Sequence, residues 1–349
     1  MNSYFCVLPF YGYEIPHNSY ENIHCCRLAP GTDIAIIQDS IHNKQRNTAC
    51  NTCWKLEDAG LPSERQLHNQ AFDFYLDRDL DKIEQDTIDG LHSSQIVKLA
   101  TSNLCNGTCV TCDSGSSSAW AALEGKKIQY QVMPTDQLDK INWAKTRQLS
   151  LVGGEPLLER VNFQILQRLI DLSNTSCFVS VVTNGSCELN PQQLDVLAQF
   201  PNLNICVSID GVGPRFEYMR YPLKWSLLEQ NLKQFKQIAR YLSVSCMISN
   251  LNIAYYTEMI DFFKQHQLEY LCKQIDHPDY FSPGNLSPAA QQTVLELNPR
   301  YHDEIQGFFN TGRYSPELFA QCQTEIARQD QLKKINIVDY APVNFVTSI

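Results

Sequence analysis

Between residues 95 and 275 short apolar runs alternate with longer stretches whose apolar positions recur at helical spacing. Ile96–Thr101, Gln148–Val152, Phe178–Thr183, Asn204–Ile209, Ser243–Ile248 and Glu269–Ile275 are the short runs, and their length and composition predict strands. Between them, Leu157, Leu158, Val161, Ile165, Leu166, Leu169 and Ile170 make one helical stripe. Leu227, Leu228, Leu232, Phe235 and Ile238 make a second, and Met259, Ile260 and Phe263 a third. Six strands separated by helices predict an α/β fold with a parallel sheet and right-handed crossovers. The pattern alone fits an open sheet or a partial barrel equally well.

The flanks break this rhythm. Residues 1–75 are rich in Cys, Asn, His and Pro, with strand-like pieces such as Asp33–Ile37, and predict a small separate domain. Residues 76–94 are charged and predict a linker to the α/β part at 95–275. Residues 276–349 form a C-terminal extension: a Pro- and Tyr-containing stretch from Pro278 to Asn285, two helices, then Lys334–Val338 and a tail. No internal repeat is evident.

The chain has 349 residues, 43% of them apolar, which is enough for about two domains with a sizeable core. No apolar run reaches membrane-spanning length and no secretory signal opens the chain, so the expectation is a cytoplasmic protein with no membrane partner. The net charge of −10 disfavours nucleic acid as a substrate. Fourteen cysteines are many for a reducing compartment, where metal ligation explains clusters better than disulfides do. Cys6, Cys25, Cys26, Cys50, Cys53, Cys105, Cys109 and Cys112 are clustered. Cys177, Cys206 and Cys246 lie in strand-like runs, as small core hydrophobes do.

Cys105, Cys109 and Cys112 have the spacing C-x3-C-x2-C directly after the first predicted strand. Three thiolates on one short loop can hold three irons of a [4Fe–4S] cube and leave the fourth open to bind and reduce something. A structural zinc site would want a fourth ligand, and the sequence offers none nearby. Gly153-Gly154-Glu155-Pro156 follows the second strand: glycines admit a ligand close to the backbone, and the carboxylate can accept from an ammonium. Ser208 and Asp210 end the fourth strand one residue apart and project to the same side. Asn184, in Thr183-Asn184-Gly185, ends the third strand, and the Arg220 guanidinium could clamp a carboxylate. Turn formation and surface salt bridges are the plainer readings of these residues. Tyr218, Tyr221, Tyr280 and Tyr340 are candidate proton or hydrogen-atom donors, and Cys187, Cys272 and Cys322 candidate radical quenchers, with packing the simpler reading.

Together, the cysteine loop, Gly153–Pro156 and Ser208–Gly211 resemble the radical S-adenosylmethionine (SAM) enzymes, over residues 95–275. The resemblance implies a partial (β/α)6 TIM-type barrel with its chemistry at the C-terminal strand ends. It implies a SAM-binding [4Fe–4S] cluster on Cys105, Cys109 and Cys112, the catalytic centre. It further implies SAM held by Thr111, Gly153, Gly154, Glu155, Asn184, Ser208, Asp210 and Arg220. Thr111 departs from the family, where this position is often aromatic. The amino-terminal cysteines resemble the twitch domain, a shortened relative of the SPASM auxiliary-cluster domain. That likeness implies an auxiliary [4Fe–4S] cluster on Cys6, Cys25, Cys50 and Cys53, with Cys26 the alternative to Cys25. A zinc ion on the same four thiols is the other reading. The family's hairpin glycine is missing here, and the domain precedes the barrel instead of following it.

The implied activity is reductive cleavage of SAM to a 5′-deoxyadenosyl radical, which abstracts hydrogen from a ribosomally synthesised peptide and leads to crosslinking, epimerisation or backbone splicing. The implied partners are that peptide, a separate small peptide-recognition protein and an electron donor such as flavodoxin or ferredoxin. A radical SAM enzyme acting on a sugar or nucleoside, and a non-catalytic iron–sulfur or zinc scaffold, are the alternatives.

Overall fold

The computed structural model describes residues 4–15, 23–25, 27–29, 31–73, 95–127, 133, 135–275 and 277–341; Cys26 and the expected linker at 76–94 lie outside the described residues. Among the described residues there are seven strands, and their order in the sheet is that of the chain, β1 to β7. A doubly wound sheet reverses its strand order part-way, whereas sequential order is that of a barrel or part of one. The α/β expectation and a seven-stranded parallel sheet therefore stand together. Two compact units share the chain: Met1–Asn103, Gln131–Val181 and Leu189–Asn204 form the first, and Leu104–Tyr130, Val182–Glu188 and Ile205–Ile349 the second.

In the first unit β1 (Gly12–Ile15), β2 (Ile96–Ala100), β3 (Gln148–Val152) and β4 (Phe178–Thr183) pair in parallel. Leu99, Leu149, Leu151, Val179 and Val181 alternate along their strands and are buried on one shared face of the sheet. Helix Arg160–Asp171 is capped by the Glu159 carboxylate on the Val161 N–H and buries Ile165, Leu166 and Leu169 of the predicted stripe. Leu157 and Leu158 precede that helix, and Leu158 is exposed.

Sequence patterning missed β1, because a four-residue strand carries too short a pattern to read. Gly12 opens it where a Cβ would run into the carbonyls of His24 and Leu8. The expected strand-like piece Asp33–Ile37 is instead the start of helix Ile34–His42. Asp33 caps it by accepting from the Ala35 N–H, and Ile37 and Ile41, four apart, bury one face. That face packs with Phe5, Leu8, Phe10, Tyr11 and Ile96, so the amino-terminal segment shares its core with β2.

In the second unit β5 (Leu203–Ser208) is followed by β6 (Tyr241–Ile248) and β7 (Glu269–Gln274), which pair in parallel with Cys246 beside Cys272. Helix Trp225–Ile238 buries Leu228, Leu232 and Phe235, and helix Tyr256–Gln265 buries Met259, Ile260 and Phe263, as the stripes predict. Beyond β7 there are three substantial helices rather than two: Pro288–Leu297, His302–Asn310 and Pro316–Lys333. No helix among the described residues is long and apolar enough to cross a membrane.

Candidate active site

The loop from Leu104 to Cys112 has almost no regular structure, so its backbone groups need partners elsewhere. They find them at nearly every position. The Cys105 N–H donates to Ser118 Oγ at 3.0 Å, and that hydroxyl donates back to the Cys105 carbonyl. Ser117 Oγ donates to the Gly107 carbonyl at 2.7 Å, and the indole N–H of Trp120 to the Cys109 carbonyl at 2.9 Å. The Thr108 and Val110 N–H groups donate to the carbonyls of Tyr221 and Met219. Ser117 also caps helix Ser118–Leu123 by accepting from the Trp120 N–H, so one cap residue fixes both helix and loop. Gly107 faces two of the sulfurs: a Cβ there would stand 3.4 Å from Cys109 Sγ and 3.9 Å from Cys105 Sγ.

Asn184 reaches this loop. Its Nδ2 donates to Asn106 Oδ1 at 2.8 Å, and its Oδ1 accepts from the Ser186 N–H and hydroxyl. Asp210 is buried; it accepts from the Met247 N–H and forms an ion pair with Arg220 at 2.7 Å. Arg220 Nη1 lies 3.8 Å from Cys109 Sγ, and its Nε is buried without a hydrogen-bond partner. Burial opposes the Arg220 charge, but Asp210 and the Cys109 sulfur outweigh it and push its pKa up. Ser208 and Thr111 are half-buried. Thus the second unit brings together the cysteine loop, Asn184, Asp210 and Arg220. Patterning overlooked Asn106, Ser117, Ser118 and Trp120, although Ser117 ahead of an apolar helix start is a legible cap signal.

In the first unit, Gly153 has φ +119°, and a Cβ there would stand 2.7 Å from the Ser102 carbonyl, so both conformation and space require glycine. The Gly154 N–H donates to that same carbonyl at 2.9 Å. Glu155 is buried, and its carboxylate accepts from the Leu157 N–H. Tyr218 is buried and donates to Asp330, and Cys187 and Cys322 are buried, so packing accounts for them.

The amino-terminal cysteines also meet within the first unit. Cys6, Cys25, Cys50 and Cys53 line one cleft, together with Trp54 and Arg65. Arg65 forms an ion pair with Glu57, stacks 4.6 Å over Trp54 and donates to the Phe5 carbonyl, the residue before Cys6. The antiparallel bridge between Glu14 and Ile23 lies between Cys6 and Cys25 in the chain. Burial pushes the Cys6 thiol up to about 12 and raises Cys50, Cys53, Cys109 and Cys112 as well. No three His, Cys, Asp or Glu side chains converge as a metal-holding group among the described residues.

Residues 99–263 match the family model of the radical SAM superfamily. The chain carries a radical SAM domain. Such a domain supports an enzyme, and the family of that model implies a [4Fe–4S] cluster and SAM. No curated protein matches. Among solved structures, native anSMEcpe with bound AdoMet is 17% identical, covering 66% of this chain and 66% of that one, with a TM-score of 0.43. Streptococcus suis SuiB bound to S-adenosylmethionine is 12% identical, covering 84% and 68%, with a TM-score of 0.45. SuiB bound to precursor peptide SuiA is 10% identical, covering 94% and 70%, with a TM-score of 0.43. The anSMEcpe match spans just under two thirds of that protein's length. These values assign no residue role.

The radical SAM domain's side chains fit the group it implies. The donors are three thiols within eight residues, soft ligands suited to iron, on a loop whose backbone is already satisfied. Gly107 keeps clear the space beside two of them. Arg220 reaches the Cys109 sulfur through Nη1 and keeps its buried Nε unpartnered.

Proposed function

We propose that the chain is a radical SAM enzyme that removes hydrogen from a ribosomally synthesised peptide, leading to a crosslink, an epimer or a spliced backbone. The observation that carries the enzymatic part is the C-x3-C-x2-C loop, pinned at Cys105, Gly107, Thr108, Cys109 and Val110, inside the matched domain. Cys105, Cys109 and Cys112 would ligate the cluster, leaving one iron for SAM. The chemistry supplied by cluster and SAM together is one-electron cleavage of the sulfonium and hydrogen abstraction from an unactivated C–H bond.

The chain's own residues bind and orient. Glu155 offers a buried carboxylate to the SAM ammonium, with Gly153 and Gly154 admitting it to the backbone. Arg220, held by Asp210, offers its free Nε–H to the SAM carboxylate. Ser208 and Asp210 suit ribose hydroxyls, Asn184 holds the loop through Asn106, and Thr111 lies beside the adenine.

The peptide part rests on the four-cysteine cleft and its likeness to twitch and SPASM domains, whose enzymes often modify peptides. Cys6, Cys25, Cys50 and Cys53 suit an auxiliary [4Fe–4S] cluster, and the same four thiols suit zinc. A cytoplasmic setting, a small peptide-recognition partner and a flavodoxin- or ferredoxin-like donor complete the reading. The test is anaerobic reconstitution, counting iron and sulfide and assaying 5′-deoxyadenosine after reduction with SAM. About eight irons per chain with deoxyadenosine supports the whole reading. Four irons and one zinc keeps the enzyme and makes the amino-terminal site structural. No deoxyadenosine from a fully loaded chain, with candidate peptides present, overturns it.

A further inference from the structure

The last turn of helix Pro316–Lys333 carries a lysine that the proposed chemistry does not use. Lys333 is 4% exposed, and its ammonium sits 4.7 Å from the centroid of the Trp120 ring. Its hydrogen bond goes to a neutral group, Gln329 Oε1, at 2.9 Å. The Gln329 amide in turn donates to the Val110 carbonyl at 2.9 Å, between Cys109 and Cys112. Trp120 donates to the Cys109 carbonyl, so the ammonium reaches the cysteine loop by two routes. Arg328, over the same ring at 5.7 Å, is neutralised by Glu124 and Glu325. Lys333 makes no salt bridge among the described residues.

A buried ammonium with no salt-bridge partner is costly, and neither the helix C-terminus nor one indole face fully offsets it. Burial, reinforced by Arg328, pushes its pKa down to about 8 against the opposing pull of Cys109, Asp330 and Glu325, of which Cys109 is the foremost. Asp330 and Glu325 supply part of the negative charge that Lys333 faces, and the cysteine loop in its thiolate, metal-holding form would add more.

We infer that Lys333 is a positioning residue for the iron–sulfur site, holding the cysteine loop through Gln329 and Trp120 and stabilising the reduced cluster by its charge. This rests on the loop holding a cluster. Reduction adds one negative charge, so a fixed cation nearby favours the reduced state and raises the midpoint potential.

The test is the midpoint potential of the loaded full-length chain without SAM, read by electron paramagnetic resonance during a redox titration. The loop's signal is identified by its loss in Cys105→Ala. Lys333→Met keeps the stem against Trp120 and removes the charge: the midpoint moves to more negative potential, and Lys333→Arg returns it toward wild type. Gln329→Leu cuts the link to Val110 but leaves the ammonium: iron is lost faster to a chelator, with a smaller shift in midpoint. An unchanged midpoint in Lys333→Met overturns the inference, as do equal shifts in Lys333→Met and Gln329→Leu. Should Lys333→Met take up no iron, Lys333→Gln is judged by the same criteria. A wild-type chain in which the Cys105-dependent signal is absent would overturn the reading of the loop itself, a different failure.

Discussion

The two cysteine groups are built in opposite ways. Cys105, Cys109 and Cys112 belong to one short loop whose carbonyls and N–H groups are satisfied by Ser117, Ser118, Trp120, Met219 and Tyr221. Cys6, Cys25, Cys50 and Cys53 come from separate segments, and apolar packing around Phe5, Leu8, Ile37 and Ile41 assembles them. The first group has its shape fixed by local hydrogen bonds. The second lines one cleft only because long loops have closed, at an entropic cost that the packed core offsets. Loss of one cysteine should therefore cost chemistry at the first site and folding at the second.

The largest expected effect breaks that comparison if it fails. Cys105→Ala should abolish deoxyadenosine formation while the fold survives, checked by circular dichroism beside the activity assay. Deoxyadenosine at wild-type levels would sink the loop assignment. Cys50→Ser should do the reverse in kind: loss of the amino-terminal metal with a lower melting temperature, and the four irons of the loop retained. Loss of both metals together in Cys50→Ser would mean the two groups are not separately built.

Gly153→Ala sharpens the contrast between backbone-set and packing-set positions. Its φ of +119° and the 2.7 Å approach to the Ser102 carbonyl leave no room for a methyl group. The substitution should destabilise the chain by about 2 kcal/mol or more, read by chemical denaturation. A neutral result would mean that the strand end is free to relax.

Lys333 gives a pH signature peculiar to the loop. Its pKa is about 8 when folded against 10.5 ordinarily, set by burial, with Cys109, Asp330 and Glu325 opposing and Arg328 reinforcing. The unfolded chain then binds more protons between these values, so this group's contribution makes folding more favourable as pH rises from about 8 to 10.5, and least favourable below 8. Iron-free wild type should gain on Lys333→Met by up to about 1.4 kcal/mol per pH unit across that window, measured by denaturant midpoints. A pH-independent difference between the two would refute the buried charge.

The strands and stripes were legible because their signal is local: Gln148–Val152 and Phe178–Thr183 have the boundaries that their apolar runs mark. Ile34–His42 was misread because its first residues are β-branched or apolar, and the Asp33 cap that starts the helix weighs less in a short pattern. The cysteine loop was legible as spacing. Its supports were not, because Gln329 lies 219 positions from Val110 and no periodicity links them. Arg220 was read as a carboxylate clamp; its pairing with Asp210 comes from the fold, and leaves Nε as the donor still available.

The smallest effect tests whether the loop's shape really is local. Ser118 is a single tether: its hydroxyl accepts from the Cys105 N–H and donates to the Cys105 carbonyl. Ser118→Ala leaves a partly buried N–H and carbonyl without that partner, at a cost of about 1 kcal/mol. Global stability should fall by that amount, because the other tethers persist. Iron release from the loop to a chelator should quicken, while metal at the amino-terminal cleft leaves at the wild-type rate. Equal acceleration at both sites would show that the loop takes its shape from the packing of the whole chain, and the contrast between the two cysteine groups would then be one of degree.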